Sequence, residues 1–154
     1  MHYPDLSPCT DFPFDADGKL IAVGWLSPGM DYDRGSVREE FARKLVELLY
    51  DPWQPVVAMG VHPCGFCRLS GGPGTFRLGP FGLETILGAS NVFVPGDGFL
   101  YVAPSLILHY IDAHEYSPPT EFQHAVMACP HMCSMEYLKA ILENGPKGMM
   151  PTRS

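Results

Sequence analysis

Two thiols and an imidazole, His62, Cys64 and Cys67, fall within the run Val61-His62-Pro63-Cys64-Gly65-Phe66-Cys67. Thiolate sulfur combined with imidazole nitrogen favours zinc over calcium or magnesium, which prefer oxygen donors. The spacing suits the same ion. If residues 55–61 form a strand, as Val56, Val57, Ala58 and Met59 suggest, extended chain beyond it points His62 and Cys64 to one side, because side chains two apart share a face. Gly65 permits a turn, and a Cys-x-x-Cys turn returns Cys67 beside Cys64. Three donors can then meet one ion at zinc's ~2.0–2.3 Å.

A fourth donor has to come from another part of the chain. Pro104 can occupy a first helical turn, and residues 105–114 continue as a helix whose apolar centre lies near Leu106, Ile107, Tyr110 and Ile111. At ~100° per residue, His114 falls in the middle of that apolar face, where a hydrogen-bonded core imidazole is the ordinary role. His109 lies on the flank, roughly 120° from the centre, and suits a ligand at the rim of a sheet. The set read from the sequence is therefore His62, Cys64, Cys67 and His109 around one zinc ion. Four protein donors close the tetrahedron and make the metal structural.

Other chemistries compete for the same residues. Cys64-Gly65-Phe66-Cys67 has the spacing of a thiol–disulfide pair, but such a pair wants a helix N-terminus after its first cysteine. Here the chain runs into Arg68-Leu69-Ser70-Gly71-Gly72-Pro73-Gly74, which is no helix. A zinc hydrolase or lyase would use three ligands and a metal-bound water, with His114, Asp112 or Glu121 as proton shuttle. No nucleophile elbow and no His-Glu-x-x-His motif accompanies it. Cys129-Pro130-His131-Met132-Cys133 has donors for a second metal patch, yet Pro130 interrupts the helix that would align them. It is left out of the ligand set.

The elements that would position the site follow from periodicity. Residues 1–18 hold Pro4, Pro8 and Pro13 among several Asp and read as an irregular arm, anchored by Tyr3, Phe12 and Phe14. Residues 19–26, with Leu20, Ile21, Val23 and Trp25, read as a strand buried on both faces. Ser36 and Glu39 form a capping box ahead of a helix over 36–50, whose Phe41, Leu45, Leu48 and Leu49 recur at helical spacing. Glu39, Glu40 and Glu47 are its solvated face, and Pro52 ends it. Residues 75–78, 83–87, 91–94 and 99–102 read as short strands, the last two a hairpin around Pro95-Gly96-Asp97-Gly98. Helices follow after Ser117-Pro118-Pro119, with Phe122, Ala125, Val126 and Met127 on one apolar side and His124 exposed, and over 135–143 from Ser134. The tail over 147–154 reads as frayed.

Bulk properties bound the rest. A chain of 154 residues fits one domain with one core. A net charge of −7 lacks the clustered basic face that nucleic acid requires. No run approaches the ~18 apolar residues of a membrane span, and no basic-then-apolar leader opens the chain. Five cysteines, two of them in a ligand-like pair, suit a reducing cytoplasm better than a disulfide framework. A chain with 16 Gly and 16 Pro is rich in loops, and a metal that ties loops together adds directly to folding.

The opening Met-His-Tyr-Pro-Asp-Leu, the Val-Gly-Trp-Leu run, the His-x-Cys-x-x-Cys stretch and the segment from Tyr101 to Phe122 together resemble a family of uncharacterised small bacterial proteins. The resemblance spans nearly the whole chain and implies a bacterial, soluble protein, with no activity to carry over. The expectation is an α+β fold: a small antiparallel or mixed sheet covered by one helix from the N-terminal half and a C-terminal group of helices, tied by zinc. A binding or accessory domain follows, its partner a protein or small molecule whose identity the residues do not specify.

Overall fold

The computed structural model describes residues 3–9, 18–55, 66 and 90–146, and the backbone alone of 75–78 and 83–86. In chain order the elements are β1 (Leu20–Ala22), α1 (Glu39–Tyr50), β2 (Thr75–Leu78), β3 (Leu83–Ile86), β4 (Asn91–Pro95), β5 (Leu100–Pro104), α2 (Ile107–Ala113), α3 (Thr120–Ala128) and α4 (Met135–Asn144). This is an α+β architecture. Strands β1, β5 and β4 form a mixed sheet in that order, with β1 parallel and β4 antiparallel to β5, while β2 and β3 pair as a separate antiparallel ribbon.

The hairpin of β4 and β5 forms because its turn permits it. Gly98 sits at φ +84°, a conformation that costs a residue without a Cβ little, and Gly96 N–H bonds Phe99 O at 2.8 Å to close the loop. All five residues of β5 are buried, so this central strand is covered on both faces. The ladder runs on to Asn91↔Pro104, which keeps Pro104 extended. Consequently the helix expected to begin there starts only at Ile107, after Ser105 N–H has bonded Ser90 O at 2.9 Å.

The first strand is shorter than its composition suggests. Gly24 takes φ +80° and turns the chain out of line after Ala22, so the buried run 19–26 is part strand and part bend. A Cβ at Gly24 would meet the Ile107 side chain at 2.9 Å, which is how closely this bend approaches α2. The described part of the arm, residues 3–9, runs antiparallel along the outer edge of β1. Leu6 N–H bonds Ala22 O, Ala22 N–H bonds Ser7 O, and Cys9 N–H bonds Leu20 O, each at 2.8 Å. Backbone groups that would otherwise make an open sheet edge are satisfied this way. Tyr3 anchors the arm edge-on against Trp25, at 5.9 Å between ring centres; Phe12 and Phe14 lie outside the described residues.

Helix α1 buries Phe41, Leu45, Val46, Leu48 and Leu49 and leaves Glu39, Glu40 and Glu47 in solvent, as its period predicts. Its start differs. Arg38 is the N-cap, without a side-chain cap, and Ser36 lies outside the helix, so no capping box forms. Glu39 instead takes Arg43 one turn on, at 3.0 Å, and with Glu40 places negative charge at the positive end of the helix dipole. Phe41 meets Phe122 of α3 edge to face at 6.2 Å. Helix α3 buries Phe122 and Val126, while Met127 is half exposed, narrowing the apolar side read from its sequence; His124 is exposed as expected. Helix α4 begins at Ser134, whose hydroxyl accepts Tyr137 N–H at 3.1 Å, and Tyr137 O–H donates to Phe93 O at 2.7 Å to dock the helix on β4. Among the described residues, no helix is long and apolar enough to cross a membrane.

Candidate metal centre

The end of α2 determines where its histidines stand. The helix stops at Ala113, and His114 is its C-cap at φ −120°, with its N–H on Tyr110 O at 3.0 Å. Glu115 then takes φ +57°, and Tyr116 N–H returns to the same Tyr110 carbonyl at 3.1 Å. Tyr32 O–H donates to His114 O at 3.0 Å and fixes this turn from outside the helix. Two residues five apart on a continuous helix would diverge by roughly 140° at 100° per residue. Because the chain leaves the helix at His114, its ring instead folds back beside His109, 5.0 Å away between centres with the planes at 83°.

His114 is therefore half-buried at a helix end and no part of the buried core, which corrects the position read from the helical wheel. The wheel assumed a helix that no longer exists at that residue. His109 is also half-buried, and its imidazole is held below the usual range, first by burial, then by His114, with Asp112 opposing. Burial disfavours its cation, so the ring is kept neutral, the form a metal requires.

Phe66, the residue between Gly65 and Cys67, packs on this same helix end. Its ring lies 5.1 Å from His114, 6.0 Å from Tyr110 and 5.9 Å from Tyr32. Tyr116 completes the aromatic group, 6.0 Å from Tyr32. His62, Cys64 and Cys67 themselves lie outside the described residues, as does the strand expected over most of 55–61. Among the described residues, no group of three or more His, Cys, Asp or Glu donors gathers around a common point. Cys129, His131 and Cys133 fall under that statement and do not converge. Cys129 is buried, with its thiol pushed up to about 11 by burial against a smaller opposing pull from Lys44, whereas Cys133 is exposed at φ +63°.

Tyr116 also belongs to a partly buried polar pair with Asp5. Tyr116 has no exposed surface, and its O–H donates to Asp5 Oδ2 at 2.8 Å, while Gly24 N–H donates to Asp5 Oδ1 at 3.0 Å. Burial raises the Asp5 carboxyl above its ordinary range despite both donors, and Asp33 adds to the rise. Burial likewise raises the Tyr116 phenol. Arm, β1 bend and α2 end are thus joined through one carboxylate. Asp112 and Glu121, the carboxylates considered as proton shuttles, are both exposed.

The sequence reading weighed both α2 histidines and set His109 ahead of His114 as the fourth donor; the structure places the two rings side by side at the end of the helix. No curated protein and no solved structure matches the chain. One family model does match it, over residues 1–127, a span that holds the Cys-x-x-Cys stretch, both α2 histidines and the aromatic group and stops before the Cys129–Cys133 patch. The chain belongs to the family described as a domain of unknown function, DUF7919.

Proposed function

We propose that this protein is a zinc-binding domain in which the ion ties the Cys-x-x-Cys stretch to α2, and that the metal is structural, supporting a binding or accessory role. Cys64 and Cys67 supply two thiolates, His109 one imidazole, and His62 is the remaining donor named by the sequence. The observation that carries the reading is the seating of Phe66 on His114, Tyr110 and Tyr32. Consecutive Cα atoms stand ~3.8 Å apart, so anchoring Phe66 limits how far ligands one and two residues away can lie from α2. A hydrophobic wall on that side also suits a metal site, because it excludes water that would compete for the ion. In this reading the protein works in a reducing cytoplasm, where the thiols stay available as ligands.

Metal content tests this directly. Protein purified without added metal should carry about one zinc per chain by native mass spectrometry, and chelation should expose Cys64 and Cys67 to a thiol reagent. A folded chain that carries no metal, with a Cys64–Cys67 disulfide in its place, would overturn it in favour of redox chemistry.

A further inference from the structure

We infer that the arm over residues 3–9 is a proton-controlled strap on the outer edge of β1, latched while the Asp5 carboxyl is protonated and opening from the edge as that carboxyl ionises. The strap uses none of the residues proposed as zinc ligands.

Little besides backbone bonding holds the arm. Tyr3 N–H bonds Trp25 O at 3.1 Å, and Leu6 N–H on Ala22 O, Ala22 N–H on Ser7 O and Cys9 N–H on Leu20 O follow at 2.8 Å each. Of residues 3–9 only Tyr3 and Cys9 are buried, so little apolar surface keeps the arm in place. A turn also interrupts the pairing. Ser7 N–H and Ser7 O–H both donate to Pro4 O, at 3.2 and 2.7 Å, and Leu6 between them takes a left-handed φ of +67°, costly for a residue with a Cβ. A segment with few buried contacts opens locally, well before the fold as a whole.

Asp5 supplies the latch. Its carboxylate is the one charged group of residues 3–9, and it takes Gly24 N–H from the β1 bend on Oδ1 and Tyr116 O–H from the end of α2 on Oδ2. The surroundings oppose its ionisation. Asp5 is half-buried, and Asp31, Tyr32 and Asp33 line with it a cavity of about 320 Å³ that has no cation among its described lining residues. Arg34, next on the same loop, is engaged by the Tyr32 ring, 4.7 Å from its centre, and by Glu115 at 3.9 Å. Burial first, with Asp33 adding to it, therefore holds the docked carboxyl above its ordinary range against the two hydrogen bonds.

Proton linkage gives the sign. Released, Asp5 returns to its ordinary 3.8; docked, it keeps its proton to higher pH. Docking is thus strongest below 3.8 and weakens as pH rises through the docked titration. Opening bares Ala22 N–H and the Leu20, Ala22 and Trp25 carbonyls as an unpaired strand edge, and takes Cys9 out of the core.

Native-state amide exchange on the full chain, read by NMR as protection factors over a series of pH and low urea, tests the strap. Leu6, Cys9 and Ala22 amides should exchange through an opening far more frequent than that of Val23 N–H, bonded to Val102 O, and of Leu100 N–H, bonded to Lys19 O. Their exchange should scarcely respond to urea, because opening the arm exposes little surface, and their protection should fall severalfold as pH rises through the Asp5 titration. In Asp33→Asn that fall should move to lower pH and shrink, since a charge opposing ionisation is gone; in Asp5→Asn it should vanish. Arm amides that share the protection and urea dependence of Val23 and Leu100 would overturn the inference, as would protection in the parent that does not change with pH. If Asp5→Asn leaves the arm undocked at every pH, the parent against Asp33→Asn decides, and an unmoved midpoint counts against the strap.

Discussion

Replacing Tyr116 by Phe removes one oxygen from a side chain with no exposed surface, and that oxygen is the donor to Asp5 Oδ2 at 2.8 Å. A hydrogen bond to a charged group contributes ~1.5–3 kcal/mol, and the half-buried carboxylate can recover part of it from water, so Tyr116→Phe should cost about 1–2 kcal/mol. Asp5→Ala should cost more. It leaves both Gly24 N–H and the Tyr116 hydroxyl without their acceptor, at ~1–3 kcal/mol for each group, or about 2–6 kcal/mol together. For a chain of this size that corresponds to roughly 4–24 °C in Tm, at ~2–4 °C per kcal/mol. Urea unfolding of the two single variants and the double variant completes a cycle, and the coupling should be at least ~1 kcal/mol with m unchanged. Additivity within ~0.5 kcal/mol would refute the reasoning, since it is what independent sites show. The pH dependence carries a sign. Burial raises the Asp5 carboxyl above its ordinary 3.8, so the folded chain binds the extra proton, and stability is greatest below that value and falls as pH rises through the folded-state titration. Asp5→Asn, with no proton to exchange, should flatten that part of the curve.

Two further expectations follow from packing. Cys133 is exposed and Cys129 is buried with its thiol pushed up to about 11, so a thiol reagent at neutral pH should label Cys133 first and Cys129 only as the chain opens, by peptide mapping; equal rates would contradict the burial. Gly24→Ala should destabilise by about 2–4 kcal/mol, from a left-handed φ and a Cβ 2.9 Å from Ile107, whereas Gly29→Ala, at φ +86° in open space, should cost only ~1–2 kcal/mol. Equal Tm losses in the two variants would mean that the approach of β1 to α2 is not what constrains Gly24.

Local signals were legible wherever neighbours in sequence are also the interacting partners. The apolar stripe Phe41, Leu45, Leu48 and Leu49 is the buried face of α1, Ser134 caps α4, and the glycine-bearing turn at 95–98 pairs β4 with β5. Each depends on bonds or contacts within a few residues, so period and turn chemistry suffice. The capping box failed because Ser36 and Glu39 satisfy the motif only if the helix begins at once after Ser36, and the chain stays extended through Arg38.

By itself, then, the sequence determined an α+β chain with its main helices and its hairpin. Tertiary structure decided what meets what. Strand β1 lies parallel beside β5 although residues 20 and 100 are far apart in the chain, and the arm completes the edge that β1 leaves. The placement of His114 is the sharpest case. A helical wheel assigns it to the core because it extrapolates the helix, but carbonyl capture by Tyr116 N–H and the hold of Tyr32 on His114 O end α2 at Ala113. Both partners come from packing around the helix end, and a helix stops where its last carbonyls find better donors outside it.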